Sequence, residues 1–263
     1  MIYRNRKPSS ELWAITLGFP CVLIVLWEVA ARSHVFPGYM VAPSTILKES
    51  WNLITHGEIF TQAGASLYRT YVGFVIGSAI GVALGLLSGV SRVTQDLFDT
   101  VQGFVHSIPK ISLFPAIAIW LGFSDASRII IISLSCFFPA YLNAMNGALG
   151  INPSFIWLSK NNEVGRLRCF MEVVVPASLP RIFVGLRISL MVAFILMVAT
   201  EVIGHSDGLG SLAMSAYENG EYAEMYAAIL FIAVAGYCSN LVLQRVASAL
   251  CRGQMLNQES SQR

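Results

Sequence analysis

Long apolar runs constrain this chain more than any other feature of its sequence. Each run is close to twenty residues, the length that an α-helix needs to cross the hydrocarbon core of a bilayer. Hydrophobic residues make up 55% of the chain and charged residues only 12%, and the mean hydropathy is +0.64. Because so little charge cannot cover a soluble surface, we predict an all-α, polytopic membrane protein. The six predicted spans are residues 12–31, 67–88, 101–121, 127–149, 182–203 and 225–250.

The distribution of basic residues predicts how these spans are oriented. Most Lys and Arg residues between the runs fall in intervals that alternate crossings place on one side, as is typical of cytoplasmic loops. The interval 204–224 contains acidic residues and no Lys or Arg, which is typical of an outer loop. We therefore predict a cytoplasmic N-tail at 1–11, a multi-pass membrane domain at 12–252 and a cytoplasmic C-tail at 253–263.

Four glycines in the second predicted span follow a regular spacing. Gly73, Gly77, Gly81 and Gly85 recur every fourth residue, so they form a stripe along one face of a helix. Small residues in register allow two helix backbones to approach closely. The stripe predicts a helix-packing surface.

Polar and helix-breaking residues inside the predicted spans mark candidate pathway or gate positions. Pro109 and Pro115 interrupt the third span, and Asn143 lies in the fourth. Arg187 and Glu201 lie fourteen residues apart in the fifth span, on nearly the same face but about 21 Å apart along the axis. Structural interpretations remain open, because prolines can precede a later helix start, asparagines bond neighbouring helices and charged side chains reach the interface.

A polar and basic loop at 155–181 separates the fourth and fifth spans. Apolar residues, Phe170 among them, recur at helical spacing there with Arg166 on the wetter side, which predicts a short amphipathic helix. Pro176 is predicted to end this helix, and Pro180 follows one turn later. Two interpretations remain open: an interfacial loop helix, or a docking element for a soluble partner.

The residues that serve enzymes and metal sites are scattered. The five cysteines and four histidines show neither metal-ligand spacing nor a disulfide framework. The chain has no HExxH, GxSxG or phosphate-binding lysine motif and no paired carboxylates. The sequence therefore argues against a membrane-embedded enzyme and predicts no cofactor and no metal in this chain and no nucleic-acid partner.

Several motifs together resemble one family. The segment Val173 to Pro180 reads VVVPASLP and is followed by Gly185-Leu186-Arg187. Further motifs are Ser66-Leu67-x-Arg69, Trp120-Leu121-Gly122, Phe137-Phe138-Pro139, and Glu201 followed by Gly208-Leu209-Gly210. In combination they resemble the permease subunits of type I, binding-protein-dependent ABC importers, in the sub-group that serves aliphatic sulfonates, taurine and nitrate.

The resemblance implies the fold of those permeases and a division of roles among several chains. Two copies of the permease would form the pathway, and a cytoplasmic dimer of ABC ATPase subunits would hold ATP and Mg²⁺. An external solute-binding protein would deliver the ligand, and the 155–181 loop would couple the permease to the ATPase. The chain would lie in a bacterial inner membrane, with an aliphatic sulfonate as the expected substrate and taurine or nitrate as alternatives.

The first half of the coupling loop departs from the family pattern. Its candidate contact residues ahead of Arg166 are Trp157, Leu158, Ser159, Glu163, Val164 and Gly165. Glu163 occupies the slot where the family has a glycine, and Gly165 is displaced from that slot by two residues. Either the ATPase groove is adapted to these residues or coupling is weakened or lost. An ion-coupled secondary transporter is a further alternative, which would require a carboxylate near mid-bilayer.

Overall fold

The computed structural model describes residues 10–33, 38–97, 108–152, 154, 157 and 165–260, with side chains from residue 18 to residue 251 of that set. Every regular element among them is helical and none is a strand, so the predicted all-α fold is confirmed. The helices are α1 (Ser10–Arg32), α2 (Pro43–His56), α3 (Glu58–Val90), α4 (Phe114–Leu121), α5 (Asp125–Leu149), α6 (Arg166–Gly204), α7 (Leu209–Asn219) and α8 (Tyr222–Ser260).

Four stretches of the described residues are long and apolar enough to cross a membrane. They are α3, α5, α6 and the Tyr222–Cys251 part of α8, and they contain four of the predicted spans. Helix α1 contains a fifth, 12–31. The predicted span 101–121 lies partly outside the described residues, and its remaining helical part, Lys110–Leu121, is shorter than one crossing. The multi-pass architecture therefore stands, whereas the count of six stays a prediction.

The predicted topology supplies names for the two ends of the bundle. The ends of α3 and α5 that carry Glu58 and Asp125 are here called outer, as are the Gly204 end of α6 and the Tyr222 end of α8. The opposite ends are called inner. The orientation itself remains the prediction made from the charge distribution.

Helix α3 packs along α5 through its glycine stripe. A Cβ atom on Gly81 would lie 2.5 Å from the carbonyl oxygen of Phe137, and one on Gly73 would lie 2.6 Å from Cγ2 of Ile132. Cβ atoms on Gly77 and Gly85 would likewise overlap the backbone carbonyls of Ser133 and Tyr141. The structure thus places the whole stripe at one helix crossing, where any side chain would separate the two backbones.

Helix α6 packs on the other side of α5 and completes the central layer. Ile131, Ile132, Leu190 and Met197 belong to an apolar core between these helices, near the short helix α4. Two reciprocal hydrogen bonds cross this core: the Ser189 hydroxyl donates to the carbonyl oxygen of Cys136 at 2.8 Å, and the Cys136 thiol donates to the carbonyl oxygen of Ser189 at 3.3 Å. Helix α5 is therefore held between α3 and α6.

Helix α6 corrects one prediction about the loop that precedes it. Pro176 was expected to end an amphipathic helix, but the helix continues through both Pro176 and Pro180 to Gly204. A π turn at Phe170–Val174 lies immediately before the regular α-helix that starts at Val175, so Pro176 occupies its first turn. A proline is tolerated in a first turn because it lacks only an N–H that has no regular partner there.

A smaller layer covers the outer ends. Helices α2 and α7 pack against the start of α8 around Leu53, Leu209 and Leu212, with the small residues Ala227 and Ala228 beneath them. Helix α7 fills most of the interval predicted as an outer loop.

We predict that Gly77→Ala destabilises the protein. Its Cβ would overlap the backbone of Ser133, which cannot move aside as a flexible side chain can. The expected loss is about 1–3 kcal/mol in the free energy of unfolding, measured by denaturant unfolding in detergent. Gly64→Ala on the same helix is the control, because a Cβ there has open space and alanine favours helix. Equal stability of the two variants would contradict the packing role of the stripe.

Candidate functional site

A cluster of charged side chains joins the outer ends of three spanning helices. Helix α3 contributes Arg69, helix α5 contributes Asp125 and Arg128, and helix α6 contributes Glu201. Asp207 comes from the short connection between α6 and α7. Residues separated by more than 130 positions in the chain thus meet in one network, which we call the outer charge cluster.

Glu201 lies at the centre of the outer charge cluster and is completely buried. Its two carboxylate oxygens accept hydrogen bonds from the Ser66 hydroxyl at 2.8 and 2.9 Å. Oε1 also accepts from Nη1 of Arg69 at 3.1 Å, and Oε2 accepts from the backbone N–H of Gly210 at 2.9 Å. A buried carboxylate needs this much compensation, because an unpaired charge in such a place costs several kcal/mol.

Two glycines allow the connection after α6 to wrap around this carboxylate. Gly208 has a φ of 122°, which L side chains rarely adopt, and a Cβ there would lie 2.5 Å from Oε2 of Glu201. A Cβ on Gly210 would lie 3.0 Å from Cβ of Glu201. Between them, the Leu209 N–H donates to the Ser66 hydroxyl at 2.8 Å. The Gly-Leu-Gly sequence is therefore required by the buried carboxylate.

Arg69 connects all the elements of the cluster and is itself buried. Its Nε donates to Asp125 at 2.6 Å, and its Nη2 donates to the Asp207 carboxylate at 2.6 Å. Its Nη1 donates to the Asp207 carbonyl oxygen at 2.8 Å as well as to Glu201. One guanidinium thus ties α3 to α5, to α6 and to the connection that follows α6.

Arg128 is equally buried but less completely paired. It donates a short hydrogen bond from Nη2 to the Ser206 hydroxyl. Its Nη1 lies 3.6 Å from the Asp125 carboxylate and 4.0 Å from that of Asp207. Its Nε has no partner among the described residues. Arg128 therefore depends on charge attraction within the cluster more than on direct hydrogen bonds.

Asp125 and Asp207 lie at the solvent-exposed edge of the cluster. Their side chains are 51% and 57% exposed, whereas those of both arginines are at most 2% exposed. The hydrogen bond and charge of Arg69 lower the pKa of Asp207 below its ordinary value of 3.8. Because the pKa of Asp207 is lower in the folded protein than in the unfolded chain, ionised Asp207 stabilises the fold above pH 3.8. This stabilisation is lost as the pH falls through the pKa of Asp207 in the folded protein. The Asp207 contribution therefore does not change across the neutral range.

The cluster is a structural link between helix ends rather than a reactive site. Every charge in it faces an opposite charge, and the central carboxylate has no contact with solvent. No group of three or more His, Cys, Asp or Glu residues in the described part of the chain is arranged to hold a metal. What the arrangement can do is hold the outer ends of α3, α5 and α6 together.

The structure brings only one of the predicted pathway residues into this cluster. Glu201 is at its centre, whereas Arg187 lies on the same helix towards the inner end with an exposed side chain. Asn143 lies at the crossing of α5 and α6, where its amide donates to the Pro139 carbonyl at 2.9 Å. Pro109 directly precedes the 3-10 turn at Lys110–Leu113, and Pro115 lies in the first turn of α4.

The predicted coupling residues fall into two groups. Leu158, Ser159, Glu163 and Val164 lie outside the described residues, whereas Trp157, Gly165 and Arg166 are exposed. At the start of α6, Phe170 and Val174 face an inner apolar core that also contains Ile182. Leu167 and Met171 point the other way and are 74% and 58% exposed. The inner end of α6 thus presents an apolar face that the rest of the described chain leaves uncovered.

Four members of the outer charge cluster were not predicted as site residues. Arg69 entered only as part of a motif, Asp207 only as an outer acidic residue, and neither Asp125 nor Arg128 was considered. Arg128 did carry a usable signal, because an arginine inside a predicted span needs a partner. The sequence feature that could have predicted the whole cluster is the presence of both acidic and basic residues at the predicted outer ends of several spans.

Comparison with known proteins places the chain in one family. A family model described as "Binding-protein-dependent transport system inner membrane component" matches residues 77–254, more than half of the chain. The Bacillus subtilis (strain 168) protein SsuC, named for aliphatic sulfonates transport, is 32% identical over 235 residues, covering 88% of this chain and 85% of that protein. The Leptolyngbya laminosa nitrate import permease NrtB is 27% identical over 263 residues, covering 93% of each chain.

One further relative and one solved structure also match this chain. The taurine transport system permease TauC of Escherichia coli (strain K12) is 26% identical over 245 residues, covering 91% of this chain and 89% of that one. Among solved structures, an inward-facing form of the MetNI methionine ABC transporter matches with a TM-score of 0.60 at 20% identity, covering 73% of this chain and 95% of that chain. This last match shows a shared fold.

We predict that Glu201→Gln destabilises the folded protein by about 3–5 kcal/mol, because it leaves the buried Arg69 without its central counter-charge. Denaturant unfolding in detergent measures the loss. Glu218→Gln is the control, since Glu218 pairs with His205 at 3.4 Å but both side chains are exposed. If Glu201→Gln were as stable as Glu218→Gln, the cluster would not fasten the outer ends.

Proposed function

We propose that this chain conducts a small oxyanion, an aliphatic sulfonate. The chain belongs to the family of binding-protein-dependent transport system inner membrane components and is a permease subunit of an ABC importer. The relatives named for aliphatic sulfonates, taurine and nitrate support an anionic solute. The sulfonate is preferred because one relative named for it is 32% identical to this chain, against 26–27% for the taurine and nitrate relatives.

The continuity of α6 is the observation that carries the transport mechanism. This helix of 39 residues is about 58 Å long, nearly twice the thickness of the hydrocarbon core. Its inner end bears the exposed Leu167 and Met171, and its outer end bears Glu201. A displacement of the inner end is therefore transmitted along one continuous helix to the outer charge cluster. Opening of the pathway would follow from strain on that cluster.

The uncovered face at the start of α6 is the proposed contact with the motor. A cytoplasmic ABC ATPase dimer would bury Leu167 and Met171 and would hold ATP and Mg²⁺ on its own chains. Two copies of the permease would line the pathway, and an external solute-binding protein would present the sulfonate at the outer side. The coupling loop at 155–181 would lie on the cytoplasmic side of a bacterial inner membrane, together with both chain termini.

An ion-coupled secondary transporter is the less favoured alternative. Such a protein needs a carboxylate near mid-bilayer that can bind and release an ion. Glu201 lies near the outer end of α6, and both its oxygens are engaged by Ser66, Arg69 and Gly210. A coupling-deficient permease remains the second alternative, because the loop ahead of Arg166 departs from the family pattern.

We predict that Leu167→Glu abolishes coupling while the permease still folds. The side chain is 74% exposed, so a charge there is harmless in the isolated chain but would be buried unpaired against the ATPase. We expect co-purification with the cognate ATPase to fall by about tenfold or more. ATP-dependent uptake of ethanesulfonate into proteoliposomes that contain permease, ATPase and binding protein should fall in parallel.

Val93→Glu is the matched control for this experiment. Val93 is 81% exposed and follows the inner end of α3, so it belongs to a different segment from the start of α6. It should leave both association and uptake unchanged. Association of Leu167→Glu at the wild-type level would contradict the proposed contact. A folded wild-type permease that fails to bind its ATPase would instead identify a coupling-deficient protein, and uptake driven by a proton gradient without ATP would identify a secondary transporter.

A further inference from the structure

A groove of about 280 Å³ opens between the inner halves of α6 and α8. Its size is near the lower end of the range for small-molecule sites, roughly 300–1,000 Å³. It therefore suits a solute smaller than a drug molecule. Apolar side chains from the two helices form its walls: Phe183, Val184, Leu243 and Ala247.

Three polar side chains line this apolar groove: Arg187 from α6, and Gln244 and Ser248 from α8. The Ser248 hydroxyl donates to the Arg245 carbonyl oxygen at 2.9 Å. Arg187 and Gln244 are both exposed. Neither makes a hydrogen bond or an ion pair with the described residues, and no carboxylate is among the residues that line the groove. The groove therefore carries one uncompensated positive charge and one free amide.

The exposed Arg187 differs from the two arginines that are buried in the bundle. Arg69 and Arg128 both face carboxylates in the outer charge cluster. Arg187 lies in the same membrane-spanning region without such a partner, although an unpaired cation there is costly unless it faces water or an anion. A guanidinium offers parallel N–H donors that match the oxygens of a carboxylate, phosphate or sulfonate.

We propose that the groove between α6 and α8 is an oxyanion-binding subsite in which Arg187 holds the sulfonate group of an alkanesulfonate. The Gln244 amide supplies a further donor, and the apolar walls contact the alkyl chain. This assignment deepens the proposed function and rests on it. Because no carboxylate lines the groove, the ammonium group of taurine finds no counter-charge there, so the subsite selects simple alkanesulfonates over taurine.

The position of the subsite places it late in the passage of the solute. Arg187 lies fourteen residues before Glu201 on one continuous helix, which is about 21 Å along the axis. The outer charge cluster and the groove are thus at opposite ends of the spanning region. An anion bound at Arg187 has already passed the outer cluster and is held on the side from which it leaves.

The test uses a reagent that is itself an alkanesulfonate. Ala247→Cys is introduced on α8 in a chain whose five native cysteines are replaced by alanine. Its thiolate is allowed to react with 2-sulfonatoethyl methanethiosulfonate or with the cationic 2-(trimethylammonium)ethyl analogue, each forming a mixed disulfide and releasing methanesulfinate. We expect Arg187→Gln to lower the ratio of the anionic to the cationic rate by about tenfold or more. Ethanesulfonate should slow the anionic reaction, and taurine at the same concentration should not.

Three variants serve as controls. Arg181→Gln removes a charge from the same helix outside the groove and should leave the rate ratio unchanged. Ala249→Cys places the thiol on α8 outside the groove, so its rate ratio should not respond to Arg187→Gln. Arg187→Lys keeps the charge but loses the paired donors, so the rate ratio should persist while protection by ethanesulfonate weakens. If Arg187→Gln does not fold, Arg187→Lys and the protection experiment still test the proposal.

Several results would overturn the assignment. An unchanged rate ratio in Arg187→Gln would show that the guanidinium does not attract anions into the groove. Protection by phosphatidylglycerol but not by ethanesulfonate would make a lipid headgroup the occupant. Equal protection by taurine would refute the selectivity. None of these measurements requires the ATPase or ATP, so a groove that binds ethanesulfonate in a complex that fails to import it would separate failure of the proposed function from failure of the subsite.

Discussion

The ion pair between Arg69 and Glu201 is the interaction on which the outer half of the structure depends. Neither side chain has appreciable contact with solvent, so each charge requires the other and a full set of hydrogen bonds. That requirement explains the hydroxyl of Ser66, the backbone donor of Gly210 and the left-handed conformation of Gly208. It also fixes where α7 begins, since the chain must turn around the carboxylate before it can return to helix. A single buried charge thus determines the local sequence of two helices and the connection between them.

The arginines of the spanning region have different tasks because their partners differ. Those at the outer end are matched by carboxylates of the same chain, and the result is a fastening between helices. Arg187, towards the inner end, has no internal partner among the described residues and is the proposed ligand of an external anion. Both ends lie on or against α6, so a displacement of that helix affects the fastening and the proposed subsite together. Coupling between the two sides of the membrane then needs no separate relay.

The sequence predicted those features that repeat locally and missed those that join distant positions. Apolar runs identified the spanning helices, and the four-residue glycine spacing identified the surface that α5 contacts. The outer charge cluster unites residues as far apart as Arg69 and Asp207, and no local pattern shows which helix ends will meet. Pro176 was misjudged for a related reason. The π turn at Phe170–Val174 places Pro176 in the first turn of the regular α-helix, where a proline is tolerated, and no local sequence pattern marks that turn.

That π turn also sets the direction in which the inner end of α6 points. A π turn contains one more residue than regular α geometry would use, so everything before Phe170 is rotated by about 100° relative to an unbroken helix. Leu167 faces outward in that rotated frame, while Val174 faces the core in the unrotated one. Deletion of one residue within the turn would rotate the apolar face that carries Leu167 about the helix axis, without altering the spanning region. Under the proposed assignment of this face to the ATPase contact, the choice of partner can therefore evolve by the insertion or deletion of a single codon, independently of the spanning helices.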